Sequence, residues 1–132
     1  MPVVRDIMRT AVNAVAGSAT FGYVAELLLH DRTSGLPVVD GGGYLVGVIS
    51  DYDCLKLYRD PTLAEQPVSQ FMAKDVVSVE LDTPLLDVIK KFAMRRLHRL
   101  PVVNNGKLVG IVTRREILEH ICRDVLCETA AR

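Results

Sequence analysis

The chain has 132 residues, about half of them hydrophobic, with sixteen Lys and Arg balancing sixteen Asp and Glu. That length supports one compact domain or two small interlocked ones. A zero net charge argues against a dedicated nucleic-acid binder, and no apolar run reaches the roughly 18 residues of a membrane span. The start, Met1-Pro2-Val3-Val4-Arg5-Asp6, has no long apolar stretch behind a basic flank, so no signal peptide is expected.

In chain order, Val3 to Met8 reads as a short lead-in, followed by a strand around Val12–Val15. A helix started by Ser18 should bury Phe21, Val24, Ala25, Leu28 and Leu29 at helical spacing. Leu36 to Val39 and Tyr44 to Ile49 form a hairpin around Gly41-Gly42-Gly43. A second helix starts at Ser50 and runs to about Tyr58. Residues 59–67, with Pro61 and Pro67, read as a linker. The order then recurs: lead-in Val68 to Met72, strand Val76–Val79, and a helix with Asp82-Thr83-Pro84 as its start. That helix is expected to bury Leu85, Val88, Ile89, Phe92 and Ala93. A hairpin of Leu100 to Val103 and Lys107 to Val112 follows, then a helix from Thr113 past Val125. The tail Glu128–Arg132 has little to bury and should fray.

Residues 3–55 and 67–118 are thus two copies of one segment. Met8 recurs as Met72 and Pro37 as Pro101 at an offset of 64, but Gly47 recurs as Gly110 at 63. The slip falls where Gly41-Gly42-Gly43 stands opposite Asn105-Gly106, a place where a hairpin turn absorbs one residue. Two copies are too few for a solenoid, and neither alone can cover both faces of its sheet. The expected class is α+β: tandem β-α-β-β-α repeats related by a pseudo-twofold and packed sheet to sheet. The first repeat spans residues 1–58 and the second 68–127.

The motifs Asp6-Ile7-Met8 and Gln70-Phe71-Met72 resemble those of the cystathionine-β-synthase (CBS) domain pair, or Bateman module. So do Gly35-Leu36-Pro37-Val38-Val39 and His98-Arg99-Leu100-Pro101-Val102-Val103. Leu45 through Asp53 and Leu108 through Glu116 complete the resemblance, which covers nearly the whole chain. The first repeat is also similar to stand-alone plant CBS-pair proteins that bind adenosine monophosphate and regulate thioredoxins, although the linker here is shorter.

Ser50-x-x-Asp53 and Thr113-x-x-Glu116 have the spacing of a capping box, in which the hydroxyl and the carboxyl each bond the other residue's backbone N–H. A helix start also favours anions, through its free N–H groups and its dipole. The resemblance implies the second use: the hydroxyl and a short carboxylate hold phosphate and ribose. On that basis the main nucleotide site comprises Ser50, Asp53, Val76, Val77, His98, Arg99 and Pro101, in the cleft between repeats. The valines flank adenine, while His98 and Arg99 face the phosphate. A weaker second site comprises Val12, Asn13, Pro37, Thr113 and Glu116. There Glu replaces Asp, and Ser34-Gly35 replaces His98-Arg99. Arg95 and Arg96 read as cations that complement the dipole at a helix C-terminus; Arg99 could do the same, but the resemblance favours the phosphate for it. Arg114 and Arg115, in a helix's first turn, oppose that preference and point to an anion or a partner nearby.

No constellation supports catalysis, so the chain is not expected to be an enzyme. Its three cysteines include no Cys-x-x-Cys pair and read as buried or half-buried free thiols in a cytoplasmic or other reducing compartment. The resemblance implies a regulatory module that binds an adenine nucleotide, AMP favoured, and acts on an unknown protein in trans. It also implies a homodimer paired through helices. Alternatives are an S-adenosylmethionine sensor and a dimerising scaffold with degenerate clefts. No cofactor, metal, nucleic acid or membrane is expected.

Overall fold

A computed structural model describes residues 1–127 of the chain; the predicted tail lies outside them. The elements are β1 (Val15–Ala16), α1 (Phe21–Asp31), β2 (Gly35–Val39), β3 (Leu45–Ser50), α2 (Asp51–Cys54) and α3 (Lys56–Arg59). They continue with β4 (Val79–Glu80), α4 (Leu85–Arg95), β5 (Arg99–Asn104), β6 (Lys107–Thr113) and α5 (Arg114–His120). The last helix passes into a π-helical stretch, Ile121–Leu126. Two three-stranded sheets result, ordered β1-β2-β3 and β4-β5-β6. The class is α+β, with each repeat supplying one sheet and its helices.

The chain folds into two compact units, and they are not cut where the sequence repeats. Among the described residues, unit 1 joins residues 1–12 to residues 77–127, and unit 2 is residues 13–76. Each lead-in packs on the other repeat. Val4, fully buried, donates its N–H to the Thr83 carbonyl, and Arg9 exchanges two 2.9 Å backbone hydrogen bonds with Ile111 of β6. In unit 2, Val68 bonds the Ala19 carbonyl, and Ala73 exchanges the same pair of bonds with Val48 of β3. These bridges cover the outer strands β6 and β3, whose N–H and C=O groups would otherwise invite another strand. Residues 59–67 also belong to unit 2, where Pro61–Glu65 forms a 3-10 turn packed on Gly22 of α1.

Each unit has its own core. In unit 1, Val4, Val88, Leu100, Val102 and Val112 are fully buried. In unit 2, Phe21, Val24, Val38, Ile49 and Val68 are, and Phe21 stacks on Phe71 at 4.1 Å between ring centroids. The expected helical faces hold except at Leu29 and Ala93, which are exposed.

The hairpins absorb the one-residue slip as expected. Asp40 closes the first turn by accepting from the Gly42 and Tyr44 N–H groups, with Gly43 at φ 85°. The second turn is a two-residue Asn105-Gly106, both at positive φ, the combination a tight hairpin needs.

Local predictions need correction at three places. The strands expected at Val12–Val15 and Val76–Val79 pair only over Val15–Ala16 and Val79–Glu80. Pro37 and Pro101 have no N–H to offer, so parallel pairing begins one residue later, at Val38 and Val102. Thr20, not Ser18, caps α1, accepting from the Tyr23 N–H. Pro84 takes the cap position of α4 rather than its first turn, and Thr83 donates back to the Glu80 carbonyl.

Candidate functional site

The junctions β3–α2 and β6–α5 are both capping boxes. Ser50 N–H donates to Asp53 Oδ2 at 2.9 Å, and Asp53 N–H donates to Ser50 Oγ at 3.2 Å. Thr113 N–H donates to Glu116 Oε1 at 2.6 Å, and Arg115 N–H donates to Thr113 Oγ1 at 3.2 Å. The structural role of these residues is therefore realised at both places.

The two boxes differ in what they leave over. Glutamate has one more methylene, so its carboxylate reaches the hydroxyl, and Thr113 Oγ1 donates its proton to Glu116 Oε1 at 2.7 Å. Glu116 is only 7% exposed. Asp53 is too short for this. Among the described residues the Ser50 hydroxyl proton and Asp53 Oδ1 have no hydrogen-bond partner, and both side chains are half-buried. A ligand at Thr113 must break a side-chain hydrogen bond; at Ser50 it finds a donor and an acceptor already available. The helix dipole adds little, because α2 has four residues and its first turn already carries Asp51 and Asp53.

Val76 ends unit 2, and the chain re-enters unit 1 at Val77. Both are half-buried, and neither makes a backbone hydrogen bond among the described residues, a consequence of the shortened β4. Val12 N–H turns back to the Thr10 carbonyl, and the Asn13 amide donates to Asp31 Oδ2 at 3.1 Å. Pro37 and Pro101 are buried mid-strand, opposite Val48 and Ile111. Arg99 opens β5 directly across from Thr113, which places it next to the second capping box within unit 1. His98, just before it, is exposed.

A family model described as the CBS domain matches twice, over residues 4–60 and 68–123. The chain belongs to the CBS-domain family. As a CBS pair it resembles the crystal structure of CBSX2, from Arabidopsis thaliana, in complex with AMP. The TM-score is 0.84 with 31% identity, covering 93% of this chain and 98% of that one. The CBS domain pair of protein MJ0100, solved with 5'-methylthioadenosine and S-adenosyl-L-methionine, matches with a TM-score of 0.74 and 27% identity. That match covers 92% of this chain and 97% of the other. Protein MJ1225 of Methanocaldococcus jannaschii is 26% identical over 121 residues; the match covers 92% of this chain but 43% of that protein. The chain thus spans less than half the length of that relative.

Two features of this CBS pair went unread in the sequence. Each unit has a groove at matched positions. In unit 1 it measures about 700 Å³, floored by Phe92, Ile117 and Ile121 and rimmed by Arg96, His98 and Arg114. In unit 2 it measures about 540 Å³, floored by Leu28, Leu29 and Cys54 and rimmed by Arg32, Ser34 and Asp51. The misplaced Leu29 and Ala93 line these grooves, so the helical period identified an apolar face correctly but could not say which part of it the core covers. The cysteines also depart from expectation: Cys54 is half-buried, but Cys122 and Cys127 are exposed. Burial, then the Asp53 and Asp51 carboxylates, push the Cys54 thiol up to about 11, so it stays protonated at neutral pH. No helix among the described residues is long and apolar enough to cross a membrane.

Proposed function

We propose that this CBS pair is a regulatory module that binds an adenine nucleotide, AMP favoured, and passes the binding energy to another protein in trans. Ser50 and Asp53 take the ribose and phosphate oxygens, Val76 and Val77 flank and read the adenine, and His98, Arg99 and Pro101 complete the site. Val12, Asn13, Pro37, Thr113 and Glu116 form the weaker one. The observation that carries this reading is the unspent donor and acceptor at Ser50 and Asp53, in a chain 31% identical to CBSX2, whose structure holds AMP. The unladdered backbone of Val76 and Val77 supports it, since adenine recognition needs free N–H and C=O groups. S-adenosylmethionine is the second candidate ligand, on the strength of the MJ0100 complex. The module works as a homodimer and performs no catalysis of its own.

A thermal-shift panel with AMP, ADP, ATP and S-adenosylmethionine tests this. A ligand held at 100 times its dissociation constant stabilises the fold by about 2.7 kcal/mol, which melting resolves easily. AMP should give the largest shift. A largest shift with S-adenosylmethionine would select the second ligand, and no shift with any would leave only a scaffold.

Arg99→Ala should weaken AMP several-fold more than it weakens adenosine, measured by calorimetry. Its register opposite Thr113 sharpens the test. If Glu116→Ala and Arg99→Ala weaken the same binding event while Asp53→Ala does not, Arg99 serves the second box instead.

A further inference from the structure

The last helix of unit 1 changes its winding where two of the three cysteines stand. α5 gives way to the π-helical stretch Ile121–Leu126, and the Cys127 N–H donates to the Cys122 carbonyl. Such stretches are rare and gather at functional sites. The winding decides which side chains are neighbours. On an α-helix, residues five apart lie about 140° around the axis, with Cα atoms about 9 Å apart, so the two thiols would point in different directions. A backbone bond from residue i+5 to residue i stacks those two residues instead. Their separation becomes the roughly 6 Å that an α-helix gives its own bonded i, i+4 pair. Two ligands stacked in that way on one helix face are how the H-E-x-x-H motif holds its metal.

We propose that Cys122 and Cys127 form a two-thiolate site for a soft cation of the Cu(I) type. Both are free, exposed thiols, and they line neither the unit 1 groove nor the hollow beside Asp6 and Ile7. The other polar groups of the helix are engaged: His120 Nδ1 pairs with Asp124 at 2.9 Å, and Arg123 with Glu119 at 3.6 Å. Among the described residues no group of three or more His, Cys, Asp or Glu side chains is placed to hold a metal, which leaves no four-ligand zinc site. Two thiolates alone suit the soft Cu(I) ion. A direct disulfide fits less well. It needs Cβ atoms within about 4.5 Å, whereas side chains one turn apart on a helix stand about 5–6 Å apart at Cβ. An ion between the sulfurs fills that gap. On binding, each thiol releases its proton to solvent and both sulfurs donate to the ion, with no electron transferred. The site lies wholly in unit 1, and Cys127 stands beyond residue 123, where the second CBS match ends. The first repeat has Arg59 where the second has Cys122, so the duplication does not share this pair.

Anaerobic titration of the reduced full chain with Cu(I), buffered by a competing colorimetric chelator, tests this together with native mass spectrometry. The parent should take up one ion per chain, and X-ray absorption should count two sulfur neighbours on it. Cys122→Ser and Cys127→Ser should each weaken binding by about 100-fold or more, because the second thiolate acts at the high effective concentration that a shared turn provides. The double variant should lose little more than either single one. Cys54→Ser is the control: its thiol is half-buried and held protonated, so this variant should bind like the parent. Circular dichroism confirms that each variant folds, as expected for substitutions at exposed positions. An ion shared between two chains overturns the proposal. So does a loss in Cys54→Ser equal to that in the other variants, or a parent that binds no more tightly than its single-thiol variants.

Discussion

Asp53→Ala should reduce adenine-nucleotide affinity by roughly 10- to 100-fold, while Glu116→Ala should change it by no more than a few-fold. The magnitude follows from losing hydrogen bonds to a charged acceptor, each worth about 1.5–3 kcal/mol in a desolvated site. The asymmetry follows from the two capping boxes. Asp53 Oδ1 is uncommitted, so the fold loses only the bond from Ser50 N–H, about 1 kcal/mol of cap energy, and the protein stays folded. Glu116 has one oxygen engaged by both the backbone and the hydroxyl of Thr113 and is nearly inaccessible. Its loss therefore appears as lower stability rather than weaker binding. Calorimetric titration with AMP, paired with urea unfolding of each apo variant, separates the two effects. Equal losses of affinity would show that both boxes serve ligands equally.

Gly110→Val should destabilise the protein by about 1–3 kcal/mol, the range for overpacking a close contact. No unusual backbone angle is involved. A Cβ at Gly110 would stand 2.5 Å from Met8 Sδ and 3.0 Å from the Arg9 carbonyl oxygen. The sulfur can swing aside, but the carbonyl cannot without breaking its hydrogen bond from Ile111 N–H. Gly47 is in the same position beneath Met72 and the Ala73 carbonyl, so the duplication has kept glycine wherever a lead-in crosses a strand. Denaturant unfolding should show a lower midpoint at unchanged slope. Gly41→Ala, which meets nothing within 4 Å, is the control and should unfold like the parent. A Gly110→Val protein as stable as that control would mean that the lead-in does not hold to β6 as described.

Much of this was legible in the residues. The change in offset from 64 to 63 located the hairpin turn, and the structure places the extra residue there, between Val39 and Leu45 as against Val103 and Leu108. The boxes at Ser50 and Thr113 were legible because their spacing is short and local. What escaped was set by residues distant in sequence. Nothing in Val76-Val77-Ser78-Val79 reveals that Pro101, more than twenty residues on, will deny it a ladder partner. The pattern Val4, Met8 and Val68, Met72 shows that the lead-ins are copies but not on whose sheet each will sit. Likewise, the Asp53-to-Glu116 exchange was visible as a lost match. That the longer side chain would turn back and occupy Thr113 is a matter of reach, which only coordinates provide.

The crossing of the lead-ins also governs how the chain is made. Residues 13–76 form a continuous stretch that can complete itself as soon as it leaves the ribosome. Residues 1–12 emerge before that stretch yet stay without a home until β6 has been synthesised about a hundred residues later. Their closure joins positions about a hundred residues apart, Arg9 and Ile111, and is expected among the last and slowest steps of folding. Until then the nascent protein exposes Val4 and an open β6 margin, and that interval is when it is most vulnerable to misassociation or a chaperone's attention.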